Sequence, residues 1–479
     1  MNIVFVSSEV FPFSKTGGLA DVSAGLPKAL KELGETIKIF TPYYKCCEKY
    51  NPQFIENSKI TIAIGDNFVD VYLYIAKLPN SDVDVYFVDN KQYFFREHLY
   101  GVGNDDYQDN FSRFVLFQRA VLEYCKFLDF IPDVMHTNDW QTALIPVYLK
   151  TIYKDVFNKT KSVFTIHNMA YQGLFWVWDM KLTGLPFSLF NWRELEYYGK
   201  LNLMKGALVF ADMITTVSPT YAREILSENF AYGLQTVLEE YRYKLRGIVN
   251  GVDYNEWSPE TDKLIPYRYS KFNLEGKHQN KRVLCERCNF NYDDLPLFAF
   301  IGRLVEQKGI KFITETIDAL MSKNLRIVIL GTGDKGIENH LKYLESRYYD
   351  KLRVFILFNN ELAHLIEAGA DLYLMPSLFE PCGLNQLYSL KYGTIPIVRR
   401  TGGLADTVNN AVYDSIMRGV GTGFVFNDID NGQFLEKIDR ALETYWNKEL
   451  WYKLIDNAMS QDWSWSASAR KYLEIYRAL

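Results

Sequence analysis

Residues 297–304 read LFAFIGRL, and this run decides the architecture. Five consecutive apolar residues with a Gly-Arg turn behind them are the mark of a strand buried on both faces, as in a parallel sheet. Runs of the same kind follow: RIVILGTG (326–333), RVFILF (353–358), DLYLMPS (371–377) and IPIVRR (395–400), each succeeded by a helical segment. Upstream, the same alternation has already run once. NIVFVSS (2–8), TIKIFTP (36–42), VDVYFVDN (83–90), DVMHTND (133–139), SVFTIHN (162–168), MITTVS (213–218) and GIVNGV (247–252) read as strands, with more near 60–78. Helices fit over 20–33, 109–128 and 140–153. Two βαβ series predict an α/β chain of two Rossmann-like, doubly wound sheets. Ligands of such sheets bind at the carboxyl ends of the strands, so two facing sheets would hold a deep cleft between them.

The expected domains are 1–252 and 253–463, with 464–479 a terminal amphipathic helix packing back on the first. Residues 254–296 are charged, Tyr-rich and weakly periodic, and read as an interdomain region. A chain of 479 residues suits this division, since domains run to ~100–200 residues. At 48% hydrophobic it can bury sizeable cores, and a net charge of −5 with mixed signs implies no basic face for nucleic acid. The N-terminus reads directly as a strand, without a secretion signal, and no apolar run reaches the ~20 residues of a membrane span. Six cysteines without a disulfide framework favour a reduced, cytoplasmic protein. Cys285 and Cys288 form a lone C-x-x-C. Incidental spacing is favoured over half a zinc site or a redox pair, because four ligands are needed.

The hexapeptide TGGLAD occurs twice, at 16–21 and at 401–406, each time after a strand. Gly17 and Gly18 let the backbone turn sharply into a helix whose free N–H groups favour an anion, with Lys15 adding a mobile charge. Thr401, Gly402 and Gly403 would repeat that turn. FIGRLVEQKGI (300–310) sets Arg303 and Lys308 just past a strand end, where both could reach one diphosphate. SLFEPCGLNQLYSLKYG (377–393) sets Glu380 after a strand and opens a helix at Cys382, Gly383 and Leu384. There a carboxylate can accept from hydroxyls while helix N–H groups bind oxygens. His136, Asp139, Trp140 and His167 stand at strand ends of the first series. GTGDKG (331–336) matches G-x-G-x-x-G and raises a nicotinamide-dependent oxidoreductase as an alternative. The next strand, however, supplies no acidic residue before Glu361. A non-catalytic carbohydrate-binding protein, resting on 34 Tyr and 9 Trp that could stack on sugar rings, is a third reading. No Walker A, H-E-x-x-H or G-x-S-x-G sequence is present, and no Asp-x-Asp clamp stands at a strand end.

Taken in order, SKTGGLADVSAGLPKAL, TVSPTYAREI, NGVDYNEWSP, GRLVEQKG, PSLFEPCGLNQLYSLKYGTIPIVRRTGGLADTV and GTGFVF closely resemble bacterial glycogen synthase and plant starch synthase over the whole chain. The resemblance implies the GT-B fold. It also implies α-1,4-glucosyl transfer from ADP-glucose to the non-reducing end of glycogen or a related glucan, with retention, and with no cofactor or metal. By motif, Lys15 binds substrate beside Gly17 and Gly18, while Asp139 and His167 point at the glucosyl unit. Arg303 and Lys308 hold the diphosphate. Glu380 and the Cys382–Leu384 turn hold sugar hydroxyls, Asn250 also lies in the cleft, and Thr401–Gly403 faces the phosphates. Two departures stand out. Leu357-Phe358 replaces a frequent Gly-Tyr beside the base, where Phe358 could still stack. HTNDW replaces HxHDW, so Asn138 stands where a His often does.

Overall fold

A computed structural model describes residues 1–103 and 105–479. The chain forms two compact units, Met1–Gly251 with Trp465–Leu479, and Val252–Ser464. Among the described residues no helix is long and apolar enough to cross a membrane.

The first unit is built on β1 (Asn2–Val6), β2 (Thr36–Pro42), β3 (Asp84–Asp89), β4 (Val134–Asn138), β5 (Lys161–Ile166), β6 (Met213–Thr216) and β7 (Leu245–Gly247). They lie side by side in the order β7-β6-β5-β4-β1-β2-β3, every pair parallel. Asn67–Lys77 extends the far edge antiparallel to β3. The chain winds from β1 out to β3, then returns to β4 on the other side of β1. The winding direction therefore reverses between β1 and β4, and ligands of doubly wound sheets bind at such a point. The strands are largely buried, β1 and β3 as apolar runs, while β4 and β6 also bury polar side chains such as His136, Asn138 and Thr215. One differs: the last strand is Leu245–Gly247, ahead of the expected 247–252. The C-terminal helix Trp465–Ala478 packs on helix Gly18–Glu32 within this unit. Its Tyr476 hydroxyl lies 2.5 Å from His136 Nδ1, and the other ring nitrogen lies 2.6 Å from Thr165 Oγ1. His136 is thus a buried structural clasp.

The second unit holds β8 (Leu297–Ile301), β9 (Arg326–Leu330), β10 (Leu352–Phe355), β11 (Leu372–Met375), β12 (Ile395–Arg399) and β13 (Phe424–Phe426). Their order is β10-β9-β8-β11-β12-β13, all parallel, which is the Rossmann order with its reversal between β8 and β11. Residues 254–296 belong to this unit, contrary to the interdomain reading. Their periodicity is weak because the side chains they bury are polar. Asp262 accepts from Tyr392 Oη at 2.5 Å and pairs with His364 Nδ1 at 2.8 Å, and Lys281 Nζ pairs with Asp371 at 2.7 Å. Cys285 and Cys288 sit in an apolar cluster with Phe290 and Leu297, where burial lifts their thiols to about 11 and about 12. They are packing residues.

Candidate active site

In the first unit the loop after β1 and the loop after β4 flank the reversal. Helix Gly18–Glu32 starts at the expected turn, with Gly17 as its N-cap and no side-chain cap. The amides just ahead of it are already occupied. Glu9 accepts from Thr16 N at 2.5 Å, Thr16 Oγ1 at 2.5 Å and Gly17 N at 3.3 Å, and from Tyr100 Oη at 2.6 Å. A buried carboxylate thus holds the turn in shape. Lys15 Nζ lies 2.7 Å from Asp21 Oδ1, whose acidity burial weakens and Lys15 partly restores.

Asp139 follows β4 with φ 55° and ψ −178°, a region that glycine alone adopts freely and that costs other residues about 1–3 kcal/mol. Its Oδ1 accepts from His167 N at 2.8 Å, which ties the strained turn to the end of β5. Burial pushes the Asp139 carboxyl up to about 7, against the pull of the His167 and Asn168 amides. Burial pushes the His167 imidazole down to about 3, so the ring is neutral. Its Nε2 lies 2.9 Å from Asn138 Oδ1. Asn250 is buried, and its Oδ1 has no donor among the described residues, the state of an acceptor that a ligand or a water satisfies.

In the second unit the loops after β8 and β11 are laced together. Gln307 O accepts from Leu378 N at 2.9 Å, and Gln307 Nε2 donates to Phe379 O at 2.7 Å. Gly309, at φ 73°, lets the chain pass so near Pro376 that a Cβ there would lie 2.0 Å from its carbonyl oxygen. On the other side Arg399 donates to the carbonyls of Ser377 and Leu378. This lacing brings Lys308 Nζ to 2.7 Å from Glu380 Oε2, which also accepts from Ser377 Oγ at 3.1 Å. Arg303 is exposed beside them, 3.4 Å from Gln307 Oε1. Cys382, Gly383 and Leu384 lead into helix Asn385–Tyr392, and Gln386 Nε2 donates to the carbonyls of Cys382 and Gly383. Phe358 stands 90% exposed, open to stacking.

The second TGGLAD does not repeat the first in environment. Added Cβ atoms at Gly402 and Gly403 would lie 2.0 Å from Glu380 O and Cys382 O, whereas one at Gly17 meets nothing within 4 Å. Gly403 N already donates to Glu380 O and Pro381 O, both at 3.1 Å. Gly402 and Gly403 therefore seat the Glu380 loop, and Gly403 does not offer its amide to phosphates. GTGDKG forms a compact turn rather than a dinucleotide cradle, in line with the missing acidic residue on the next strand. Gly331 and Gly333 pack against the carbonyls of Gly302 and Leu304, Gly333 N donates to Glu338 Oε1 at 2.9 Å, and Asp334 caps the next helix. Glu9, Gln307 and Arg399 were not anticipated. Each acts by holding another loop, a role with no local sequence mark.

Known proteins settle the family. Residues 2–240 match the model of the starch synthase catalytic domain, and 287–461 that of glycosyl transferases group 1. A glycogen synthase of Koribacter versatilis is 44% identical over 99% of this chain and 98% of its own. The chain belongs to the glycogen and starch synthase family. A second relative, from Thermodesulfovibrio yellowstonii, is 41% identical over 100% of this chain and 98% of its own. The solved catalytic domain of starch synthase IV from Arabidopsis thaliana, bound to ADP and acarbose, superposes with a TM-score of 0.91 at 32% identity, over 100% of this chain and 99% of that one. Sucrose-phosphate synthase from Thermosynechococcus elongatus, 17% identical with a TM-score of 0.60, covering 100% of this chain and 98% of that one, shares the fold. Family membership makes the chain a GT-B glucosyltransferase of glycogen or starch synthesis.

Proposed function

We propose that the donor is ADP-glucose and that its glucosyl unit passes to the non-reducing end of an α-1,4-glucan with retention, releasing ADP. The observation that carries this reading is the Lys308–Glu380 pair at the reversal of the second sheet. It sets a cation for a departing diphosphate beside a carboxylate for sugar hydroxyls. The ADP bound to the starch synthase IV catalytic domain supports the choice of nucleotide.

As the anomeric C–O bond breaks, its electron pair moves to the β-phosphate oxygen. Lys308 and Arg303 stabilise that charge, each such donor being worth about 2.7–4 kcal/mol. The acceptor hydroxyl attacks the same face, and its proton passes to the departing phosphate oxygen. Asp139 is a poor candidate nucleophile for a double displacement, because burial disfavours its ionised form and one oxygen is held by the His167 amide. It and His167 position the sugar instead. Lys15 binds the donor, and Asn250 Oδ1 accepts a ligand hydroxyl. The turns at Cys382–Leu384 and Thr401–Gly403 shape the sugar and phosphate sites, and Phe358 stacks on the base. Side-chain cations, rather than a divalent metal, neutralise the diphosphate, and no cofactor takes part. The six free cysteines suit a cytoplasmic location.

The test is ADP release from ADP-glucose with and without glycogen, run beside UDP-glucose. Glycogen-dependent ADP release, faster than UDP release, is expected. Equal rates or preference for UDP-glucose would overturn the donor assignment. Lys15→Ala should raise the donor KM, and an unchanged KM would remove Lys15 from the site.

A further inference from the structure

The imidazole of His167 is held by a neighbour whose own orientation leaves no choice. Asn138 is the last residue of β4 and is fully buried. Its backbone is clamped on both sides by Thr142 Oγ1, which accepts from Asn138 N at 2.6 Å and donates to Asn138 O at 2.8 Å. Its side-chain Nδ2 donates to Val6 O at 3.0 Å. A carbonyl oxygen can only accept, so the amide cannot be turned over without setting two oxygens against each other. The oxygen of the amide therefore faces His167 Nε2 at 2.9 Å. A side-chain carbonyl also only accepts, so Nε2 must carry the hydrogen. The ring is neutral at physiological pH and has one hydrogen to place. Nδ1 is consequently the bare nitrogen. The His167 backbone is fixed by the next residue, through its N–H to Asp139 Oδ1.

We propose that Asn138 is a positioning residue that locks His167 as the Nε2–H tautomer, so that Nδ1 accepts a hydrogen bond from a hydroxyl of the glucosyl unit. A histidine at position 138, able to donate or accept, would impose no such choice. The catalytic consequence rests on the reading of His167 as a sugar contact, whereas the lock itself does not.

The full-length protein labelled with 15N-histidine is read by two-bond 1H–15N correlation at about pH 8, where neutral imidazole reports its tautomer. His167 is assigned among the six histidines by the signal lost in His167→Gln. The wild type is expected to show one Nε2–H form with an unprotonated Nδ1. Asn138→Leu should show exchange between both tautomers, with a lower kcat. Its donor KM should stay within about twofold, the split of an interaction used in the transition state. An Nδ1–H form in the wild type, or an unchanged Nε2–H form in Asn138→Leu, would overturn the lock. Should Asn138→Leu fail to fold, the wild-type spectrum decides the matter. A fixed Nε2–H form together with full turnover of His167→Gln would overturn the sugar contact and leave the lock standing.

Discussion

Lys308 Nζ and Glu380 Oε2 lie 2.7 Å apart although 72 positions separate them in sequence. The carboxylate is nearly buried, with 8% side-chain exposure against 22% for the lysine. On the proposed reading, a donor entering here shares Lys308 between its phosphates and Glu380. Lys308→Ala should lower kcat by about 100- to 1,000-fold, the loss of one donor to developing charge. Magnesium should not restore the rate. A near-wild-type kcat, or rescue by magnesium, would show that the lysine does not carry the charge.

The pair exists only because the loops after β8 and β11 touch. Gly309 is the closest point, with its positive φ and its approach to Pro376. Gly309→Ala should cost at least about 1–2 kcal/mol from the left-handed backbone alone, and it should displace Lys308. A reduced melting temperature together with a reduced kcat is expected. Loss of stability with unchanged kcat would separate the loop contact from catalysis.

Asp139 and the two buried histidines bend stability in opposite directions as pH changes. The folded Asp139 carboxyl titrates at about 7, above its ordinary value of 3.8, so the native state holds the extra proton. Its favourable contribution is full below about 4 and is lost as pH rises towards about 7. His136 and His167 titrate at about 3, below 6.5, so their contribution is present above about 6.5 and is lost as pH falls towards 3. The stability of Asp139→Asn relative to wild type should therefore rise between pH 5 and 7.5, by urea midpoints at the two values. An unchanged difference would mean that Asp139 titrates normally.

The C-terminal helix is part of the first unit's core. Trp465 packs so closely on Gly25 that a Cβ there would lie 2.0 Å from the indole nitrogen. Trp465→Ala should cost about 3–5 kcal/mol by thermal or urea unfolding. A cost below about 1 kcal/mol would show that the helix is an appendage.

Both sheets were legible in the sequence because buried parallel strands are continuous apolar runs, as at Ile3–Val6 and Leu297–Phe300. The three-residue strand Phe424–Phe426 was too short to stand out. Residues 254–296 were misread because Lys277, Asn280 and Lys281 are buried polar groups, which erase the apolar period. Lys308 and Glu380 could be named from residue type and place after a strand, but their contact depends on loops meeting. Glu9, Gln307 and Arg399 were invisible for the same reason. The two TGGLAD copies show the limit most plainly: identical letters, with Gly17 in the open and Gly402 and Gly403 pressed on the Glu380 loop.

We propose that glucosyl transfer from ADP-glucose proceeds with side-chain cations, not a divalent metal, carrying the developing charge. Its most direct measurement is incorporation of labelled glucose from ADP-glucose into glycogen in the presence of excess EDTA. The account expects label in the polymer, one ADP released per glucose, and a rate equal to that without chelator. An absence of incorporation, or a rate that EDTA abolishes and magnesium restores, would contradict it.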